Sequence, residues 1–125
     1  MFPLKGLLFA LPLASLVLVG CSGEHQVSFK KEVAPIVKAN CLSCHAAGGK
    51  GDTQAGLRMD TYEALMKGTK HGPVVVPGSS LSSVFNQVVE GRVDKSISMP
   101  HGGEPLSEAS IKILKAWVDQ GAKNN

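Results

Sequence analysis

The chain has 125 residues, enough for one domain and too few for two, and 43% of them are hydrophobic but only 5% aromatic. Its net charge is +3 and Lys30-Lys31 is the only adjacent pair of basic residues, which excludes an electrostatic binder of nucleic acid. Much of the apolar content lies in the first twenty residues, so the remaining core is modest and needs a staple such as a disulfide, metal or cofactor.

Met1 to Gly20 carries one charge, Lys5, followed by an apolar run from Gly6 to Val19. The run is too short and too weakly flanked for a stable membrane span and reads as a secretory signal. Its end, Leu18-Val19-Gly20-Cys21, resembles a bacterial lipobox. That resemblance implies cleavage before Cys21 and lipid on its thiol, which would anchor the domain to a membrane without immersing it. An ordinary signal peptide cleaved near Gly20 and an uncleaved anchor are the alternatives. The next residue is Ser22 rather than Asp, which by the same resemblance implies the outer membrane. The expected organisation is a signal peptide over 1–20, a lipidated tether over 21–27 and one domain over 28–123, exported to the periplasmic face of a bacterial membrane.

A first helix is predicted from about Ser28 to Asn40, with Ser28 as N-cap and Phe29, Val33, Ile36 and Val37 on one face. Pro35 should kink it or mark a late start. The helix runs directly into Cys41-Leu42-Ser43-Cys44-His45, a C-x-x-C-H sequence and the attachment signature of haem c. The chemistry explains the spacing. Two thiols one helical turn apart add to the two vinyl groups of haem, and the histidine that follows supplies an imidazole nitrogen to the iron. A thioredoxin-like dithiol needs a βαβ context, absent here. A zinc site needs a second Cys/His pair, also absent. With Cys21 lipidated, Cys41 and Cys44 are the only cysteines left.

Ala46 to Leu57, with four glycines, reads as a loop. Asp60-Thr61-Tyr62-Glu63 looks like a capping box opening a short helix that ends at Gly68. Val74-Val75-Val76 is bracketed by Pro73 and Pro77 and reads as a packed extended segment. A further helix is expected over about Ser80 to Glu90, carrying Leu81, Val84, Phe85, Val88 and Val89. A loop containing Met99-Pro100 follows. The last helix opens on Leu106 and the N-cap Ser107, buries Ile111, Leu114, Trp117 and Val118, and ends at Gly121.

A haem iron held by His45 needs a second axial ligand. Met59 and Met66 read as core residues and His25 lies in the tether, whereas Met99 sits in a loop stiffened by Pro100. A thioether favours Fe(II), raises the reduction potential relative to a second histidine and closes the iron to small molecules. His101 and then His71 are the competing ligands.

With these motifs in hand, the chain resembles the class I cytochrome c fold, and more narrowly the planctomycete-type cytochrome c domains. The matching stretches are Val33-Ala34-Pro35-Ile36-Val37, Cys41 to His45, Gly56-Leu57-Arg58-Met59-Asp60, Val76-Pro77-Gly78-Ser79-Ser80-Leu81, Met99-Pro100, Leu106-Ser107-Glu108 and Lys115 to Ala122. The resemblance implies an all-α cytochrome c fold of three to five helices around one covalent haem c, with the first and last helices crossing near Trp117. It implies His45 and Met99 as axial ligands and Arg58 as a candidate partner of a haem propionate, a solvated loop arginine being the alternative. Relatives often have leucine at Met59 and a second proline at His101. The first difference makes Met59 a core position; the second leaves His101 a role near the iron.

The implied function is a membrane-anchored, mono-haem carrier of single electrons between protein donors and acceptors, not an enzyme. A peroxidase-like haem enzyme or a gas-sensing haem module is the alternative, and either would need a displaceable sixth ligand.

Overall fold

The computed structural model describes residues 23–125. The expected signal peptide, the lipobox and Cys21 lie outside the described residues. Within them the chain is all-α, with helices α1 (Ala34–Asn40), α2 (Leu42–His45), α3 (Lys50–Ala55), α4 (Tyr62–Lys67), α5 (Val84–Val89) and α6 (Glu108–Asp119) and no strand. None of these helices is long and apolar enough to cross a membrane. The count of six exceeds the expected three to five because α2 and α3 are short pieces inside the stretch that follows α1.

The first helix begins where Ser28 places it. The Ser28 hydroxyl accepts from the Lys31 amide at 3.2 Å, and the Glu32 carboxylate reaches back to the Ser28 amide at 2.8 Å. The Ser28 amide, and after it the His25 side chain, hold the Glu32 carboxyl below the usual carboxylate range. Phe29–Val33 forms a wide π-helical turn before α1. Pro35 explains it: lacking an N–H and crowding the preceding turn, it is accommodated at the start of α1 once the turn before it opens. Of the two expectations for Pro35, a kink or a late start, the late start holds: α1 begins at Ala34 with Pro35 in its first turn, after the π turn.

Two expectations are corrected. The glycine-rich stretch from Ala46 to Leu57 is not all loop, since α3 occupies Lys50–Ala55. Glycine lowers helix propensity, but here α3 packs on α2 and ends on Gly56 in the left-handed conformation (φ 73°). The helix expected from Ser80 starts only at Val84. Residues 79–82 turn instead, held by the buried Ser83 hydroxyl, which donates to the Ser79 carbonyl at 2.8 Å and accepts from the Val76 amide at 2.8 Å. Leu81 is consequently exposed. Ser107 caps α6 through the Ser110 amide as expected, whereas α4 is capped one residue later than the Asp60–Glu63 capping box implies, by Thr61 through the Ala64 amide.

The first and last helical segments pack against each other, as implied by the resemblance. All four aromatic rings of the described residues meet there. Phe29 lies 5.4 Å from Trp117 and 5.2 Å, edge-on, from Tyr62, and Phe85 approaches Trp117 edge-on at 6.4 Å. The cluster thereby ties the first turn, α4, α5 and α6 together. Its polar tips are satisfied by the chain after α6: Trp117 Nε1 donates to the Lys123 carbonyl and the Tyr62 hydroxyl to the Ala122 carbonyl. The segment before the first turn is fastened too. Gln120 accepts from the Val27 amide and donates to the His25 carbonyl, and Asn125 accepts from the Phe29 amide.

Trp117→Ala should remove about 3–5 kcal/mol of stability, because it empties the centre of the cluster. Tyr62→Phe should remove only about 1 kcal/mol, through the unpaired Ala122 carbonyl. Urea unfolding of the two variants beside the parent measures both.

Candidate haem-attachment site

Cys41, Cys44 and His45 are brought together by one helical turn. The Cys41 carbonyl accepts from the amides of Cys44 at 3.2 Å and His45 at 2.9 Å. Both thiols are free; Cys44 is exposed and Cys41 half-buried. Desolvation pushes the Cys41 thiol up to about 11, so it stays protonated at neutral pH.

His45 is buried, at 7% exposure. Its Nδ1 lies 3.0 Å from the Leu57 carbonyl. A carbonyl can only accept, so Nδ1 carries the proton and donates, and Nε2 keeps its lone pair. Such an imidazole is oriented and ready to bind a metal through Nε2. Leu57 reaches His45 because the chain returns after α3: the Met59 amide donates to the His45 carbonyl at 2.7 Å. Gly51 lets α3 come close enough, since a Cβ there would sit 2.3 Å from the imidazole's Cε1 and Nδ1 atoms.

This arrangement fits a covalently held haem. Two free thiols flank one turn, and the next residue is a buried imidazole with a fixed tautomer and an available nitrogen. The competing sites fit less well. Among the described residues no three His, Cys, Asp or Glu side chains converge to hold a metal ion, as zinc would require. Nor is there a strand to build a βαβ dithiol site.

The other candidates are dispersed. Met59, Met66 and Met99 are all half-buried against the core. Met99 stands apart in being fastened to α5, its amide donating to the Val88 carbonyl at 2.9 Å. It follows a 3₁₀ turn, Lys95–Ile97, capped by Asp94, and the Met99-Pro100 peptide is cis. His71 and His101 are exposed, and His25 pairs with Glu32 at 3.0 Å. Arg58 directly follows the carbonyl that holds His45. Its guanidinium donates to both oxygens of Asp60, and this pairing holds the Asp60 carboxyl below the usual range.

The Leu57 carbonyl and Gly51 were not identified from the sequence. A backbone carbonyl carries no residue-type signal, and Gly51 was one glycine among four in an apparent loop. The place of Leu57 after Gly56, inside a stretch shared with cytochrome c domains, was the only clue.

Residues 41–102 match the family model of planctomycete cytochrome C, a span that opens on Cys41 and contains His45, Arg58 and Met99. No curated protein and no solved structure matches the chain. The match supports c-type haem binding and an electron-carrier role, in agreement with the oriented imidazole beside two thiols. Over residues 41–102 the chain is similar to the planctomycete cytochrome C family.

Proposed function

We propose that this chain is a lipid-anchored, mono-haem c-type cytochrome that carries single electrons. The observation that carries the reading is the buried His45, held by the Leu57 carbonyl at 3.0 Å with Nε2 available, one residue after a free Cys-x-x-Cys pair. Haem bound there supplies the one-electron iron couple. The chain does the rest. Cys41 and Cys44 retain the group through two thioethers, and His45 Nε2 provides the proximal ligand. Leu57 raises the basicity of that nitrogen by accepting from Nδ1–H. Met99 is the proposed distal ligand; its neutral thioether favours the reduced state and closes the iron to small molecules. Arg58 is the proposed propionate partner, which requires a propionate to compete with Asp60 for the guanidinium.

The proposed location is the periplasmic face of a bacterial membrane, most simply the outer membrane, with protein donors and acceptors meeting the domain there. Lipid on Cys21 would hold the domain close to the surface. Only Ser22, Gly23 and Glu24 separate Cys21 from His25, whose carbonyl is fastened to Gln120. At about 3.6 Å per residue, that tether spans about 14 Å at most.

Purified protein should show the split visible bands of reduced c-type haem and keep its pigment in acidified acetone. The weak far-red band of thioether-ligated ferric haem should be present and should vanish in Met99→Ala, and carbon monoxide should leave the reduced parent unchanged. A far-red band that persists in Met99→Ala removes Met99 as ligand.

Gly51→Ala tests the proximal side. In an isolated helix, alanine would stabilise by about 0.5–1 kcal/mol. Here the Cβ meets the imidazole at 2.3 Å, a distance that forces α3 or the ring to move. The expected result is a lower unfolding midpoint with a shifted Soret band.

Cys21→Ala should move the protein from the membrane fraction to the soluble fraction without altering its spectrum, as cell fractionation will read.

A further inference from the structure

The exposed face of α6 carries Lys112 and Lys115, three residues apart and so neighbours on the helix surface. They border a surface cleft of about 360 Å³, lined also by Asp119 and Gln120 at the end of α6 and by Glu24 from the segment before the first turn. Gln120 fixes the two sides to each other. Its side chain accepts from the Val27 amide at 2.8 Å and from Gln26 Nε2 at 2.9 Å, and donates to the His25 carbonyl at 2.8 Å. Glu24 is the next residue outward, so these three bonds set its place beside α6.

The charges of the cleft are balanced but unpaired. Among the described residues none of Glu24, Lys112, Lys115 and Asp119 stands in an ion pair. Asp119 uses Oδ1 to accept from the Ser80 amide at 2.8 Å, and that bond holds its carboxyl below the usual range, so it is ionised at neutral pH. Two ammonium groups and two carboxylates therefore share one cleft, and a ligand that suits it carries both signs close together. The tether says what such a ligand is. Glu24 lies three residues from Cys21, about 11 Å of chain at most. Lipid on Cys21, the reading on which this inference rests, would hold the cleft at the headgroup layer of a membrane.

We propose that the cleft seats a zwitterionic phospholipid headgroup, a phosphate joined to a primary ammonium: Lys112 and Lys115 donate to the phosphate, and Glu24 and Asp119 accept from the ammonium. A primary ammonium suits the carboxylates because it donates hydrogen bonds, which a trimethylated one does not. The contact gives the anchored domain an orientation, with α6 against the membrane. The haem-attachment turn stays clear of it, at the far end of the first helical segment, Phe29 to Asn40, about 18 Å along at 1.5 Å per residue.

The test uses lipidated holoprotein in vesicles of phosphatidylcholine, alone or mixed with phosphatidylethanolamine or with phosphatidylglycerol. An amine-acylating reagent and mass spectrometry read each lysine. Lys112 and Lys115 are compared with the exposed Lys50, Lys70 and Lys95 of the same sample, which cancels reagent consumed by the lipid. Phosphatidylethanolamine should lower the relative labelling of Lys112 and Lys115 about fivefold, the Boltzmann factor for a lysine drawn to a headgroup surface. The other two mixtures should protect them less. No protection, or equal protection in all three, overturns the proposal, since the tether alone then accounts for the result. Protection strongest with phosphatidylglycerol overturns it in favour of a plain anionic surface. Glu24→Gln should keep the visible spectrum and lose the advantage of phosphatidylethanolamine over phosphatidylcholine; an undiminished advantage overturns the role of the carboxylates. Intact mass keeps the failures apart: an acylated protein without the preference fails this proposal alone, whereas a protein without acyl chains fails the anchor and this proposal with it.

Discussion

The site depends on one hydrogen bond, from His45 Nδ1–H to the Leu57 carbonyl at 3.0 Å. It determines which ring nitrogen carries the proton, and with that which nitrogen can face a metal. It also fixes the ring's rotation, which a covalent attachment through Cys41 and Cys44 alone would not do. The partner is backbone rather than side chain, so its position depends on the path of the whole return from Ala46 to Leu57. That path is short because α3 folds directly against α2, and it can do so because Gly51 presents no Cβ to the imidazole. Helix propensity at Gly51 and close approach at His45 therefore pull in opposite directions. The proximity of 2.3 Å decides in favour of glycine.

Around that site the chain divides into a frame and a wrap. The frame is the first helical segment and α6, joined by the aromatic cluster and by the bonds of Gln120 and Asn125 to residues 25–29. The wrap is the run from Cys41 to Leu106, which is poor in long helices. Irregular backbone must satisfy its polar groups locally, and here small polar side chains do so. Ser83 holds the turn before α5, Asp94 caps the 3₁₀ turn before Met99, and Asp119 accepts from the Ser80 amide, which keeps its carboxyl below the usual range. The family match lies wholly within this wrap, and the frame lies outside it.

Met99 is placed by the wrap rather than by the frame. Its amide is held by the end of α5, and α5 is held by Phe85 against Trp117. A continuous chain of packing and hydrogen bonds thus runs from the aromatic cluster through α5 to the proposed distal ligand. One short helix accordingly combines an apolar anchor to the core and a backbone grip on Met99.

Much of this was legible in the sequence because it is local. Cys41, Cys44 and His45 are near neighbours along the chain, so their meeting needs only one helical turn. Ser28 and Ser107 start their helices because a cap acts within three residues, and the apolar stripe of α6 shows its own period. The tertiary structure alone decided the rest. Whether Lys50–Ala55 is loop or helix turned on a packing partner that offsets its glycines. Where α5 begins turned on the Ser83 hydroxyl meeting Val76, seven residues back. The orientation of His45 turned on a carbonyl twelve residues away. These outcomes depend on groups that residue type and spacing do not bring together, because backbone carbonyls are identical in every residue and distant contacts leave no period in the chain.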